Sequence, residues 1–72
     1  MTVWKSVFIL GYKVVAKGYH EAAGTGIFGS NVSKLEVYKG ATRLLHFDRG
    51  MSLNLLPDQL THTIVSMVSR LF

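Results

Sequence analysis

The segment VSKLEVYKGATRLLHFD, residues 32–48, carries the clearest β-hairpin signal in the chain. Apolar and polar residues alternate on both sides of Lys39-Gly40, the period of a strand with one buried face. Two registers compete. A two-residue Lys39-Gly40 turn sets Leu35 opposite Leu44 but leaves Leu45 and Phe47 on the face of Lys34 and Glu36. A three-residue loop, Tyr38-Lys39-Gly40, pairs Val37 with Ala41 and Leu35 with Arg43. It collects Leu35, Val37, Ala41, Leu45 and Phe47 on one face, and Lys34, Glu36, Thr42, Leu44 and His46 on the other. A one-residue slip inverts a strand's faces, so the register with cleaner segregation is preferred. It also gives Gly40 the left-handed position of a bulge turn, which glycine adopts without a Cβ penalty.

Upstream, residues 2–20 are rich in β-branched and aromatic residues and read as strand, interrupted at Gly11. Gly11 marks either a bulge in one long strand or a hairpin with Gly11-Tyr12 as its turn. The hairpin is preferred. It sets Leu10 opposite Lys13, Phe8 opposite Val15, Ser6 opposite Lys17 and Trp4 opposite Tyr19. Val3, Val7, Ile9, Val14 and Ala16 then share the reverse face. Downstream, residues 48–54 read as a turn region, and residues 56–72 as one helix. Pro57 suits its first position, Asp58 its positive start and Arg70 its end. Leu60, Ile64, Met67, Val68 and Leu71 form its apolar stripe, widened by Val65 and Phe72. His62, Thr63, Ser66, Ser69 and Arg70 take the polar side. An arc this wide either sinks deep against a curled sheet or meets a second copy of the chain.

The expected architecture is therefore α+β in a single domain, residues 1–72. An antiparallel sheet of three or four strands, two hairpins within residues 2–48, carries one C-terminal amphipathic helix on one face. With 72 residues the core is small, and with no cysteine the fold has no disulfide or thiolate metal site to lean on. Hydrophobic residues make up 49%, yet the longest strongly apolar run, Val7 to Leu10, is far shorter than a membrane span of about 20 residues. The reading is cytoplasmic, with no membrane partner.

Net charge is +4. Residues 1–50 hold seven basic side chains against three acidic ones, while Asp58 and Arg70 cancel in the remainder. Attraction to a polyanion therefore belongs to the sheet-forming part. There Trp4, Phe8, Lys13, Lys17 and Tyr19 fall on one face, and Lys34 and His46 extend it. Aromatic rings with lysines between them suit single-stranded nucleic acid, whose bases stack on rings and whose phosphates meet ammonium groups. Equally, Trp4 and Phe8 have the chemistry of core residues.

Gly24, Gly26 and Gly29 spell G-x-G-x-x-G. A dinucleotide site needs a helix starting within that motif, and the following residues read as strand instead. The glycines read as a connecting loop, and no cofactor is implied. Ile27 and Phe28 stand out there: they tuck under the sheet or form a contact tip. The histidines His20, His46 and His62 match no zinc spacing.

The function expected is a non-catalytic binding or regulatory protein whose basic, aromatic-containing sheet face takes nucleic acid. The alternative is an inhibitor or adaptor, of the kind mobile elements carry, that masks a site on a larger protein or nucleoprotein complex, with Phe28 as a contact. A remoter one is a small ribonuclease using His20 and His46 for proton transfer.

Overall fold

Alternating burial builds a sheet with one dry face. The structure, a computed structural model, describes residues 3–19 and 26–72. Five strands run in order: β1 (Val3–Ile9), β2 (Tyr12–Gly18), β3 (Val32–Lys39), β4 (Thr42–Asp48) and β5 (Met51–Asn54). They form one antiparallel meander, each strand pairing with the next. A single helix, α1 (Asp58–Ser69), follows. The fold is thus α+β, with five strands rather than three or four. The extra strand is β5, read from sequence as a turn. Its hairpin turns at Arg49-Gly50, where Arg49 takes a left-handed φ of 60°. No helix among the described residues is long and apolar enough to cross a membrane.

Both longer hairpins turn at different residues from those expected. The first turns at Leu10-Gly11, both with positive φ, the geometry that matches strand twist. Ile9 pairs with Tyr12, Phe8 with Lys13, Ser6 with Val15 and Trp4 with Lys17. The second turns at Gly40-Ala41, and the register shifts between Val37 and Tyr38. Leu44 is the unpaired bulge residue there. Beyond it Val37 meets Leu45 and Leu35 meets Phe47. The bulge lets two consecutive leucines serve one core: Leu45 is fully buried, and Leu44 packs half-buried against the core instead of lying on the outer face.

The core lies between the sheet and α1. Val14 and Ala16 of β2, Leu35 and Val37 of β3, and Leu45 and Phe47 of β4 supply the sheet side. Burying each larger aliphatic side chain contributes about 1.5–3 kcal/mol. The helix answers with Thr61, Ile64, Val65 and Val68, an i, i+3, i+4, i+7 stripe. This line is rotated from the expected one: Leu60 is half-buried, and Met67 and Leu71 are exposed. Thr61 can sit inside because its hydroxyl donates to the Pro57 carbonyl at 3.2 Å. Pro57 is the N-cap rather than the first helical residue, and the helix ends at Ser69 instead of running to residue 72.

The loop before β3 closes one end of this core. Ile27 is buried, as one expected tuck, while Phe28 is half exposed. Asn31 ties three elements together: its side-chain amide donates to the carbonyls of Tyr19 at 2.8 Å and Ser69 at 3.1 Å. The latter satisfies a terminal carbonyl of α1.

Candidate nucleic-acid interface

The face of the sheet turned away from α1 is organised as three transverse rows. Register alone sets them, because residues directly opposite share a face. The first runs Trp4, Lys17, Lys34, Asp48; the second Ser6, Val15, Glu36, His46, Leu53; the third Phe8, Lys13, Tyr38, Arg43. Trp4, Phe8, Lys13, Lys17, Lys34 and His46 are thus brought onto one surface. Trp4 is 49% exposed and Phe8 79%, so neither is a core residue. Tyr19, just past β2, is also exposed, and its N–H donates to the Asn31 carbonyl at 2.9 Å.

Phe28 belongs elsewhere. Its ring stacks on His62 of α1, with centroids 3.8 Å apart and planes 15° from parallel. Phe28 therefore lies on the helix side of the sheet, behind the open face. Its φ of 53° is left-handed, a conformation that costs a non-glycine residue about 1–2 kcal/mol. His46 and His62 are likewise on opposite layers. His20 and Gly24 lie outside the described residues, so the histidine pair and the full glycine motif do too.

Charge divides the open face in two. On the β3–β4 half, Lys34 Nζ pairs with Asp48 at 3.6 Å and Arg43 with Glu36 at 3.5 Å. The β1–β2 half holds Lys13 and Lys17 with no acid. Lys17 Nζ stands 5.8 Å from the centre of the Trp4 ring, within cation–π range. Lys17 also lies directly opposite Lys34. Like charges so placed repel, and a bound anion between them would remove that cost. Among the described residues no three His, Asp or Glu side chains come together to hold a metal ion.

Residues 3–72 match the family described as Domain of unknown function (DUF7678). The chain belongs to this family. The match begins with β1 and includes α1, so the whole sheet-and-helix unit is the family's own. No curated protein and no solved structure matches the chain.

Tyr38 and Arg43 join the surface without having been singled out in the sequence. The expected three-residue loop placed Tyr38 in the turn, and the bulge at Leu44 was the missing cue. The Tyr38 hydroxyl donates to Glu36 Oε1 at 2.6 Å. That bond, with a smaller contribution from burial, raises the Tyr38 pKa above the ordinary 10.0. A raised folded-state pKa stabilises below the unfolded value, and that contribution is lost as pH rises through the folded one. Absorbance titration of the phenolates, read as the difference between the native chain and Tyr38→Phe, should show a group ionising above pH 10. Glu36→Gln should bring it down. A Tyr38 titration unmoved by Glu36→Gln would contradict this network. On the same face Ser52 Oγ shares a 2.6 Å hydrogen bond with His46 Nδ1, which fixes that ring beside Glu36.

Proposed function

We propose that this protein binds single-stranded nucleic acid, without catalysis and in the cytoplasm, on the open face of its sheet. One observation carries the reading. Lys17, on the acid-free β1–β2 half, stands within cation–π range of the Trp4 ring and directly opposite Lys34, which Asp48 pairs from the β4 side. A stacked base would occupy the aromatic surface and a phosphate would settle between the two ammonium groups. Lys13, between Phe8 and Tyr38 in the third row, offers the next phosphate contact.

Trp4 is the only tryptophan, so its fluorescence reports occupancy of this face directly. Titration with a mixed-sequence single-stranded oligonucleotide should quench it, with affinity falling steeply as salt rises from 50 to 300 mM. Lys13→Ala and Lys17→Ala should each weaken binding about equally across sequences and flatten the salt slope by about 0.7. Trp4→Ala, followed by anisotropy of a labelled oligonucleotide, should cost about 1–3 kcal/mol. Absent binding at 50 mM salt, or binding indifferent to salt, would refute the proposal.

A second reading, the inhibitor or adaptor, is favoured by Phe28 alone. A half-exposed ring held in a strained left-handed conformation offers a contact to a larger protein. It uses the helix side, so Phe28→Ala would weaken that partner while leaving nucleic-acid binding unchanged.

A further inference from the structure

β1 is the outermost strand, and its outer edge is unpaired among the described residues. It is seven residues long, regularly paired with β2, and free of proline and bulge. The other edge, β5, has four residues and a register shift beside it, features that discourage further pairing. The two-residue turn makes Ile9–Tyr12 a hydrogen-bonded pair. By alternation Val7, Lys5 and Val3 also direct their backbone groups to β2. The N–H and C=O groups of Trp4, Ser6 and Phe8 therefore point outward, to the free edge.

We propose that this edge pairs with a second copy of the chain, antiparallel, with Ser6 opposite Ser6 across a two-fold axis normal to the sheet. The sequence of β1 is self-complementary in that register. Trp4 falls opposite Phe8 of the other copy on the open face, an aromatic pair. Trp4–Phe8, Ser6–Ser6 and Phe8–Trp4 are three pairs whose outward groups all meet, each exchanging two hydrogen bonds. Centring the axis on Lys5 loses one of those pairs and opposes two ammonium groups directly. Centring it on Val7 also loses one. In the Ser6 register Lys5 faces Val7, and the two Lys5 side chains sit diagonally at about 7–8 Å. That is inside the Debye length of about 10 Å at 0.1 M salt. Their repulsion, added to a net charge of +4 on each chain, makes the dimer tighten as salt rises. This is opposite in sign to the salt dependence of nucleic-acid binding, and the pairing does not depend on that function. It would join the two open faces into one ten-stranded surface, five strands from each copy.

The chain contains no cysteine, so single cysteines test the register directly. Under mild oxidation Ser6→Cys should form a disulfide species of twice the 8.0 kDa chain mass, since Cα atoms about 5.5 Å apart can be bridged. Phe8→Cys should not, because the two positions would lie about 13 Å apart. Thr42→Cys, on the far side of the sheet, sets the background. Sedimentation equilibrium should show a dimer tightened about threefold or more between 50 and 500 mM salt, and tightened again by Lys5→Ala. Ser6→Pro, which removes one outward N–H, should abolish it with the circular dichroism unchanged. If Ser6→Pro does not fold, Ser6→Cys and Lys5→Ala decide. Crosslinking of Ser6→Cys no better than Thr42→Cys would overturn the proposal. So would a dimer indifferent to Lys5→Ala, or one broken by Met67→Asp on the outer face of α1.

Discussion

Gly18→Ala is expected to cost about 3 kcal/mol of stability, at the upper end of overpacking penalties. A Cβ at Gly18 would stand 2.7 Å from the Asn31 carbonyl oxygen and 2.8 Å from the Phe72 ring. The ring could swing aside, but the carbonyl is backbone and accepts the Tyr19 N–H at 2.9 Å. Displacing it also pulls Asn31 Nδ2 from the carbonyls of Tyr19 and Ser69. The end of β2, the start of β3 and the end of α1 would all loosen together. Gly11 and Gly40 provide the comparison. A Cβ at either meets nothing within 4 Å, so only their positive φ of 84° and 61° resists substitution, worth about 1–2 kcal/mol. Urea unfolding of the three alanine variants should place Gly18→Ala lowest by at least about 1 M in midpoint, with slopes near 1 kcal/mol/M. A Gly18→Ala midpoint equal to that of Gly11→Ala would mean that the Asn31 junction is softer than its geometry implies.

Except in β4 ahead of its bulge, where Arg43 and Leu44 change sides, the faces of the strands were readable in the sequence, whereas the pairings were not, and parity explains the difference. Moving the first turn from Gly11-Tyr12 to Leu10-Gly11 changes every partner but leaves Trp4, Phe8, Lys13 and Lys17 together. Likewise, Leu35, Val37, Leu45 and Phe47 share a face in both the expected and the observed second hairpin. Alternation constrains only the side a residue takes. The bulge at Leu44 has its own signal, two adjacent leucines where alternation allows one. β5 escaped notice because MSLN lacks β-branched residues and follows a turn-forming Arg49-Gly50. Ile27 and Phe28 are equally apolar neighbours; only the left-handed turn at Phe28 decides which one enters the core. Thr61 carried no sequence signal for the core. A hydroxyl reads as polar until the carbonyl four residues back satisfies it.

Leu35→Ala should destabilise the fold by about 2–5 kcal/mol. Leu35 is fully buried at the middle of the central strand, opposite Ala16 on one side and Phe47 on the other. Neither neighbour can fill the void, since Ala16 has nothing to extend and Phe47 is held in the core cluster. A chain of 72 residues has a total stability of about 4–11 kcal/mol, so this one truncation removes a large share of it. Phe8→Ala deletes a bigger side chain from the same sheet. Yet Phe8 is 79% exposed on the other face, and its loss should change stability by no more than about 0.5 kcal/mol. Measured by thermal unfolding at sub-micromolar protein, where self-association is weak, the two variants should separate by several degrees at least. Their binding should separate in the opposite sense. Folded Leu35→Ala keeps the open face and its affinity, while Phe8→Ala loses affinity at unchanged stability. A Phe8→Ala variant as unstable as Leu35→Ala would make the aromatic face a second core and remove it as a surface for nucleic acid.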